Sequence, residues 1–236
     1  MIDAEKSHEL ADEESGRWDL AAALQLAAHF GFNEGICNHF SLQLADGRFL
    51  LSPHGIHWSL VRSADILAVD PANPASEAEV TALNIHGAIH AQHAGAACVL
   101  HTHMPWATAL TCVEEGRMLY VHQNSLRFYD DVAYDRDYAG LAETAEEGAR
   151  IAMCLGGHHV LFLANHGVVV TGASVADAFD RLYYLERACE VQVKAMSTGQ
   201  PLNEISSNVA RKTKAEFDAG STYAERHFEA LKQLLQ

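Results

Sequence analysis

The chain has 236 residues, 49% of them apolar, enough for one substantial α/β domain and short for two. Its 31 acidic against 16 basic residues leave a formal charge of −15 with no block of Lys or Arg. That argues against nucleic acid or an anionic membrane as partner, because phosphates and head groups would go unneutralised.

In chain order, residues 1–15 read as a loose acidic arm and 16–236 as a single domain. The arm is too acidic for a signal or transit peptide and no apolar stretch is long enough to span a bilayer, so a cytoplasmic protein is expected. From Trp18, the residues Leu20, Leu24, Ala27 and Ala28 recur at helical spacing, and Gly31 supplies a stop. "FSLQLADGRFLLSP" alternates around Asp46-Gly47, a hairpin signal, and "SADILAVD" continues as a further strand. "PANPAS" is a linker whose Ser76, followed by Glu77 and Glu79, starts a helix running to about His93.

"AACVLHT" reads as a buried strand, with Pro105 placed to open the next helix. "SLRFYDDVAYDRDYAG" is irregular and precedes a helix over Leu141 to Leu155. The strand pair "HVLFLANHGVVVTG" follows, then a long amphipathic helix from about Ser174 to Met196, and a helical last thirty residues. Strands, a hairpin and intervening helices predict an α/β fold, a three-layer α/β/α sandwich with a mixed central sheet. Five scattered cysteines, mostly inside apolar runs, predict reduced buried thiols rather than a disulfide framework.

Histidine is the unusual residue, 15 in all. In "CVLHTHMPWATAL", His101 and His103 sit at i and i+2, so on a strand both rings face one side with Cα atoms about 6.6 Å apart, within reach of one ion. Two half-buried histidines bonded to backbone or water read equally well from this motif alone. His166, at the end of an apolar strand and before Gly167, offers a third ligand, and three histidines with an open position suit a catalytic metal rather than a closed structural one. His86 and His90 also share a helix face, but "LNIHGAIH" lacks the Glu of a metalloprotease helix. They read as a helix face packed near the site, with His86 in a supporting role as the alternative. His158 and His159 read as turn residues, and His122, near a loop at the site's rim, is given no role.

With "HTH" after an apolar strand, "ANHG" some sixty residues on, and "ADGRFLLSPHGIHWS" upstream, the chain resembles the class II aldolase and adducin family from about Trp18 to Met196. The resemblance implies an α/β/α fold and a homo-oligomer, commonly a tetramer, with sites at subunit boundaries. It also implies one divalent metal ion per subunit, zinc or manganese first and iron, cobalt or nickel open, held by His101, His103 and His166. Family enzymes split or epimerise sugar phosphates through an enediolate.

Departures from that pattern redirect the expectation. The family's proton-moving glutamate corresponds to Ala82, which has no acid or base to offer. The family's phosphate pocket is replaced by Asn38-His39-Phe40-Ser41, His54-Gly55 and Val80-Thr81. Asn38, His39, Ser41, His54, Gly55 and Thr81 are therefore the candidate substrate-binding residues, with His39 and His54 expected to meet a second carboxylate of a small anionic substrate.

Decarboxylation needs no such glutamate, and the family includes metal-dependent decarboxylases of hydroxylated aromatic dicarboxylates, a pyridine example among them. The expectation is a carbon–carbon lyase on a small hydroxy- or keto-carboxylate, decarboxylation ahead of retro-aldol cleavage with a different base. A non-catalytic adducin-like oligomerisation module is the alternative from another class. An iron- and oxygen-using enzyme is more distant. The resemblance brings a tyrosine from a neighbouring subunit in this region, so Tyr134 and Tyr129 are the candidate proton donors, Tyr134 preferred. Arg127 is the candidate for holding an anion.

Overall fold

A computed structural model describes residues 12–73, 78–220 and 222–235. Helix α1 (Glu13–Phe30) starts at Asp12, whose carboxylate accepts from the Glu14 and Ser15 N–H groups, and stops at Gly31 in the left-handed conformation. The hairpin forms at Asp46-Gly47: β1 (His39–Gln43) pairs antiparallel with β2 (Phe49–Leu51), and β2 with β3 (Leu67–Val69).

Helix α2 (Val80–Gln92) is capped by Glu79, whose side chain accepts from the Ala82 N–H. The start expected at Ser76 and Glu77 lies outside the described residues. Strand β4 (Cys98–Thr102) leads into α3 (Pro105–Thr111), with Pro105 at the first helical position as its missing N–H allows. The stretch read as irregular contains β5 (Val132–Asp135), a short edge strand paired parallel with β6 (Val160–Leu163).

Between them α4 spans Ala145–Leu155, starting at the Thr144 cap rather than at Leu141. Strand β7 (Gly167–Gly172) and the helices α5 (Val175–Met196), α6 (Ser207–Asp218) and α7 (Tyr223–Lys232) complete the chain.

The seven strands form one mixed sheet in the order β3-β2-β1-β4-β7-β6-β5. Alternation along β4 sorts the layers: Cys98 and Leu100 face a large core with Leu24 of α1 and Phe179 and Leu182 of α5, while Val99 faces a second core with Ile85 and Ile89 of α2 and Ile151 of α4. His101, two residues beyond Val99, continues the α2 face. No helix among the described residues is long and apolar enough to cross a membrane. Cys98 and Cys189 are buried as expected, whereas Cys37 and Cys112 are exposed, and none of the five is paired.

Candidate metal centre

Three imidazoles converge where β4 and β7 meet. The ring centroids of His101, His103 and His166 lie 5.1, 4.8 and 4.8 Å apart pairwise, and one potential ligand atom from each falls within 4.8 Å of the others. The cluster is built by two ordinary devices. Period-two alternation sets His101 and His103 on one face, and the β6–β7 turn, with Asn165 in the left-handed conformation, brings His166 across from them. Gly167 belongs to the same construction, since a Cβ there would stand 2.5 Å from the Thr102 carbonyl oxygen and 2.7 Å from the His103 ring.

Two of the three rings have one nitrogen held by an acceptor and the other left bare. The Nδ1 of His101 donates to the Val168 carbonyl at 3.0 Å, which leaves Nε2 as the lone-pair nitrogen. The Nδ1 of His103 lies 2.5 Å from the Glu34 carboxylate, and its Nε2 is buried with no partner. A carboxylate behind an imidazole fixes its tautomer and raises its basicity toward a metal. Burial pushes His101 well below the usual histidine range and His166 down to about 4, the neighbouring imidazoles adding to both. Two rings held below the usual range and a third with a buried, unpartnered nitrogen, all turned toward one another, are a donor set that fits a divalent ion.

The remaining expected site residues divide. Asn38, with φ 74°, sits beside the cluster, where its Oδ1 accepts from the His103 N–H and its Nδ2 is buried without a partner. His54 and Gly55 form an exposed turn, with φ 84° at Gly55. Thr81 donates its hydroxyl to Glu79 at 2.5 Å.

His39 does not stand as a cation awaiting a carboxylate. Its ring is buried against His101, its Nδ1 is joined to His86, and burial holds its pKa down at about 3, so it is neutral. Ser41 is fully buried, its hydroxyl engaged by both His86 and His90.

Arg127 is likewise not free for an anion. It pairs with Asp180 and stacks on Tyr184 at 3.9 Å, with Phe217 and Tyr223 also over the guanidinium. Tyr134 pairs in register with Phe162, stacks on it, and meets the Met118 N–H with its hydroxyl, on the sheet face opposite His101. Tyr129 packs on Tyr120. The tyrosine that the same chain does bring to the cluster is Tyr138, its ring 6.5 Å from that of His166. Ala82, at the position of the family glutamate, packs into a small apolar cluster with Phe49, Leu51 and Val69.

Two supports went unread in the sequence. Glu34 is 69 residues from His103 with no motif to connect them. Glu186 of α5 caps α3 by accepting from the N–H groups of Trp106 and Ala107, and so anchors the helix that follows the ligand strand. Burial raises its pKa against those hydrogen bonds.

Comparison with known proteins gives a consistent placement. A family model described as the class II aldolase and adducin N-terminal domain matches residues 18–193. A candidate aldolase class 2 protein of Pseudomonas aeruginosa is 34% identical over 205 residues, covering 84% of this chain and 78% of that one. Alpha-adducin of Mus musculus is 33% identical over 80% of this chain, which spans only 27% of the adducin. The crystal structure of an aldolase II superfamily protein from Pseudomonas syringae superposes with a TM-score of 0.87 at 31% identity, over 96% of this chain and 94% of that one. An L-fuculose 1-phosphate aldolase from Glaciozyma antarctica, 23% identical, shares the fold with a TM-score of 0.83. With the family model covering most of the sheet and its helices, the chain belongs to the class II aldolase and adducin family.

Proposed function

We propose that the protein is a divalent-metal-dependent carbon–carbon lyase acting on a small hydroxy- or keto-carboxylate, with decarboxylation ahead of retro-aldol cleavage. The observation that carries this reading is the convergent trio His101, His103 and His166, in which His103 Nε2 is buried with no partner in the protein while Glu34 holds the other ring nitrogen. An ion held there, zinc or manganese before iron, cobalt or nickel, supplies the Lewis acidity that accepts electrons left by a broken carbon–carbon bond.

The chain's own residues favour decarboxylation. Retro-aldol cleavage needs a base to take a proton from a hydroxyl, and the family position for a carboxylate is occupied by Ala82 packed among apolar side chains. Loss of carbon dioxide generates its own negative charge and needs only a later proton. Tyr138, half-exposed beside His166, is placed to bring that proton, and Asn38 offers its unpartnered Nδ2 to a substrate oxygen. A homo-oligomer with sites at subunit boundaries is part of the reading, and the substrate is a small anion rather than a macromolecule.

The similarity to alpha-adducin favours a second reading, a non-catalytic module for oligomerisation. Metal analysis separates the two. The wild type is expected to hold near one metal per chain and the His101→Ala variant much less, with metal-dependent carbon dioxide release from a panel of small hydroxy-dicarboxylates. Metal without gas release moves the reading to aldehyde formation, and no stoichiometric metal after reconstitution overturns the enzyme.

A further inference from the structure

Behind the three imidazoles runs a line of four buried polar side chains. His39 Nδ1 lies 2.7 Å from His86 Nε2, His86 Nδ1 lies 2.5 Å from Ser41 Oγ, and Ser41 Oγ lies 2.7 Å from His90 Nε2. His90 Nδ1 ends the line 2.9 Å from the Ala96 carbonyl oxygen. The line follows from two periodicities: His39 and Ser41 are i and i+2 on β1, and His86 and His90 are i and i+4 on α2, so two rows of side chains face each other.

With each ring in the line carrying a single hydrogen, the terminal carbonyl sets the order of the hydrogens. A carbonyl can only accept, so His90 Nδ1 carries the hydrogen. Burial holds the His90 pKa at about 4, so the ring is neutral near pH 7 and its Nε2 is a bare acceptor. Ser41 has one hydroxyl hydrogen, which goes to His90, and therefore accepts from His86 Nδ1–H. His86 Nε2 is then bare and accepts from His39 Nδ1–H. The reverse assignment would set two lone pairs against each other at Ala96, the cost of an unsatisfied buried group.

This leaves the neutral His39 ring with no hydrogen on Nε2. Its neighbour Thr81 Oγ1 has its single hydrogen committed to Glu79 and donates nothing to Nε2, and at 3.5 Å the contact is at the outer limit of a hydrogen bond, far looser than the 2.9 Å contact to Ala96 that orders the line. The His39 ring lies 4.9 Å from that of His101, at the edge of the candidate metal centre, and pairs with it in register across β1 and β4.

We propose that the line from Ala96 through His90, Ser41 and His86 locks one tautomer of His39 and presents its Nε2 as a hydrogen-bond acceptor, so that the substrate places a hydroxyl group, not a carboxylate, against His39. The assignment rests on reading the imidazole cluster as a substrate site. His39 is then a specificity-determining residue, and His86, Ser41 and His90 are positioning residues. A bare buried acceptor discriminates against an analogue lacking the hydroxyl, because that analogue leaves it unpaired.

Long-range nitrogen–proton NMR spectra of the metal-free, histidine-labelled protein report which nitrogen of each ring carries hydrogen. The expected result is His39 as the Nδ1–H tautomer in the wild type and as a mixture in Ser41→Ala, which cuts the line and leaves the three ligands intact. A wild-type His39 bearing hydrogen on Nε2 overturns the lock, whatever the variant does.

The zinc-loaded protein is then titrated with malate and with succinate, which differ by one hydroxyl. Malate is expected to bind at least about fivefold more tightly, within the worth of one hydrogen bond, and that preference should collapse in His39→Phe with zinc retained. An undiminished preference in His39→Phe, or no malate binding, overturns the hydroxyl assignment. Failure to bind zinc overturns the metal-centre reading and the hydroxyl assignment with it, while the tautomer spectra stand separately.

Discussion

His103 and Glu34 are joined by a 2.5 Å hydrogen bond from imidazole Nδ1 to carboxylate, and the Glu34 side chain is 64% exposed while the ring it holds is mostly covered. An exposed carboxylate adds little to folding stability, so its contribution is expected at the imidazole behind which it stands. Glu34→Ala is therefore expected to weaken zinc binding by about 10–100-fold with little change in melting temperature of the metal-free protein. Competition with a chromophoric chelator measures the first and thermal unfolding the second; unchanged zinc affinity would remove Glu34 from the site.

Gly167 tests the same centre from the backbone. Because an added methyl group would sit 2.5 Å from the Thr102 carbonyl and 2.7 Å from the His103 ring, strands β4 and β7 or the ligand itself must move. Gly167→Ala is expected to lose tight zinc binding and about 1–3 kcal/mol of stability, the usual cost of overpacking. A variant that binds zinc as tightly as the wild type would show that the His103 position is not what the glycine protects.

The imidazole cluster was legible in the sequence because its spacing is local: i and i+2 on a strand puts His101 and His103 together whatever the rest of the chain does. His166 was legible as a strand-end histidine next to a glycine. What the sequence could not convey was register. His39 reads as a free anion receptor until β1 is paired with β4, when it faces His101 and turns its Nδ1 to His86. Strand β5 does not stand out in the sequence because four residues between Asp131 and Arg136 carry too little alternation, and pairing with β6 rather than propensity holds it in the sheet. Arg127 reads as an available cation because Asp180 and Tyr184 lie on α5, more than fifty residues away.

The buried imidazoles give the metal-free protein a defined acid sensitivity. Burial lowers the pKa of His86 well below, and that of His90 to about 4 from, the ordinary 6.5. Between those values the unfolded chain binds protons that the folded chain refuses, so stability is fully present above pH 6.5 and falls as the pH drops, by about 1.4 kcal/mol per pH unit for each such ring. Asp131, whose burial raises its pKa less than its interactions with His159 lower it, is held below the ordinary 3.8, acts only below that value and leaves the higher window to the histidines. Urea unfolding midpoints at pH 7.5, 6 and 5 should decline steadily from 6 to 5. Equal midpoints across that range would mean that these rings do not titrate as buried groups.

Ala82 decides whether the missing glutamate is a single lost side chain or part of a rebuilt pocket. Its methyl group is 1% exposed and packs with Phe49, Leu51 and Val69, while the N–H of the same residue is already taken by Glu79. A carboxylate introduced there enters an apolar cluster unpaired. Ala82→Glu is accordingly expected to cost about 3 kcal/mol or more and to confer no aldehyde-forming cleavage of sugar phosphates. Chemical denaturation and an aldehyde-trapping assay on the same preparation test both halves. A variant of wild-type stability that gains the cleavage would place the new side chain at the imidazole cluster and overturn the apolar reading of this position.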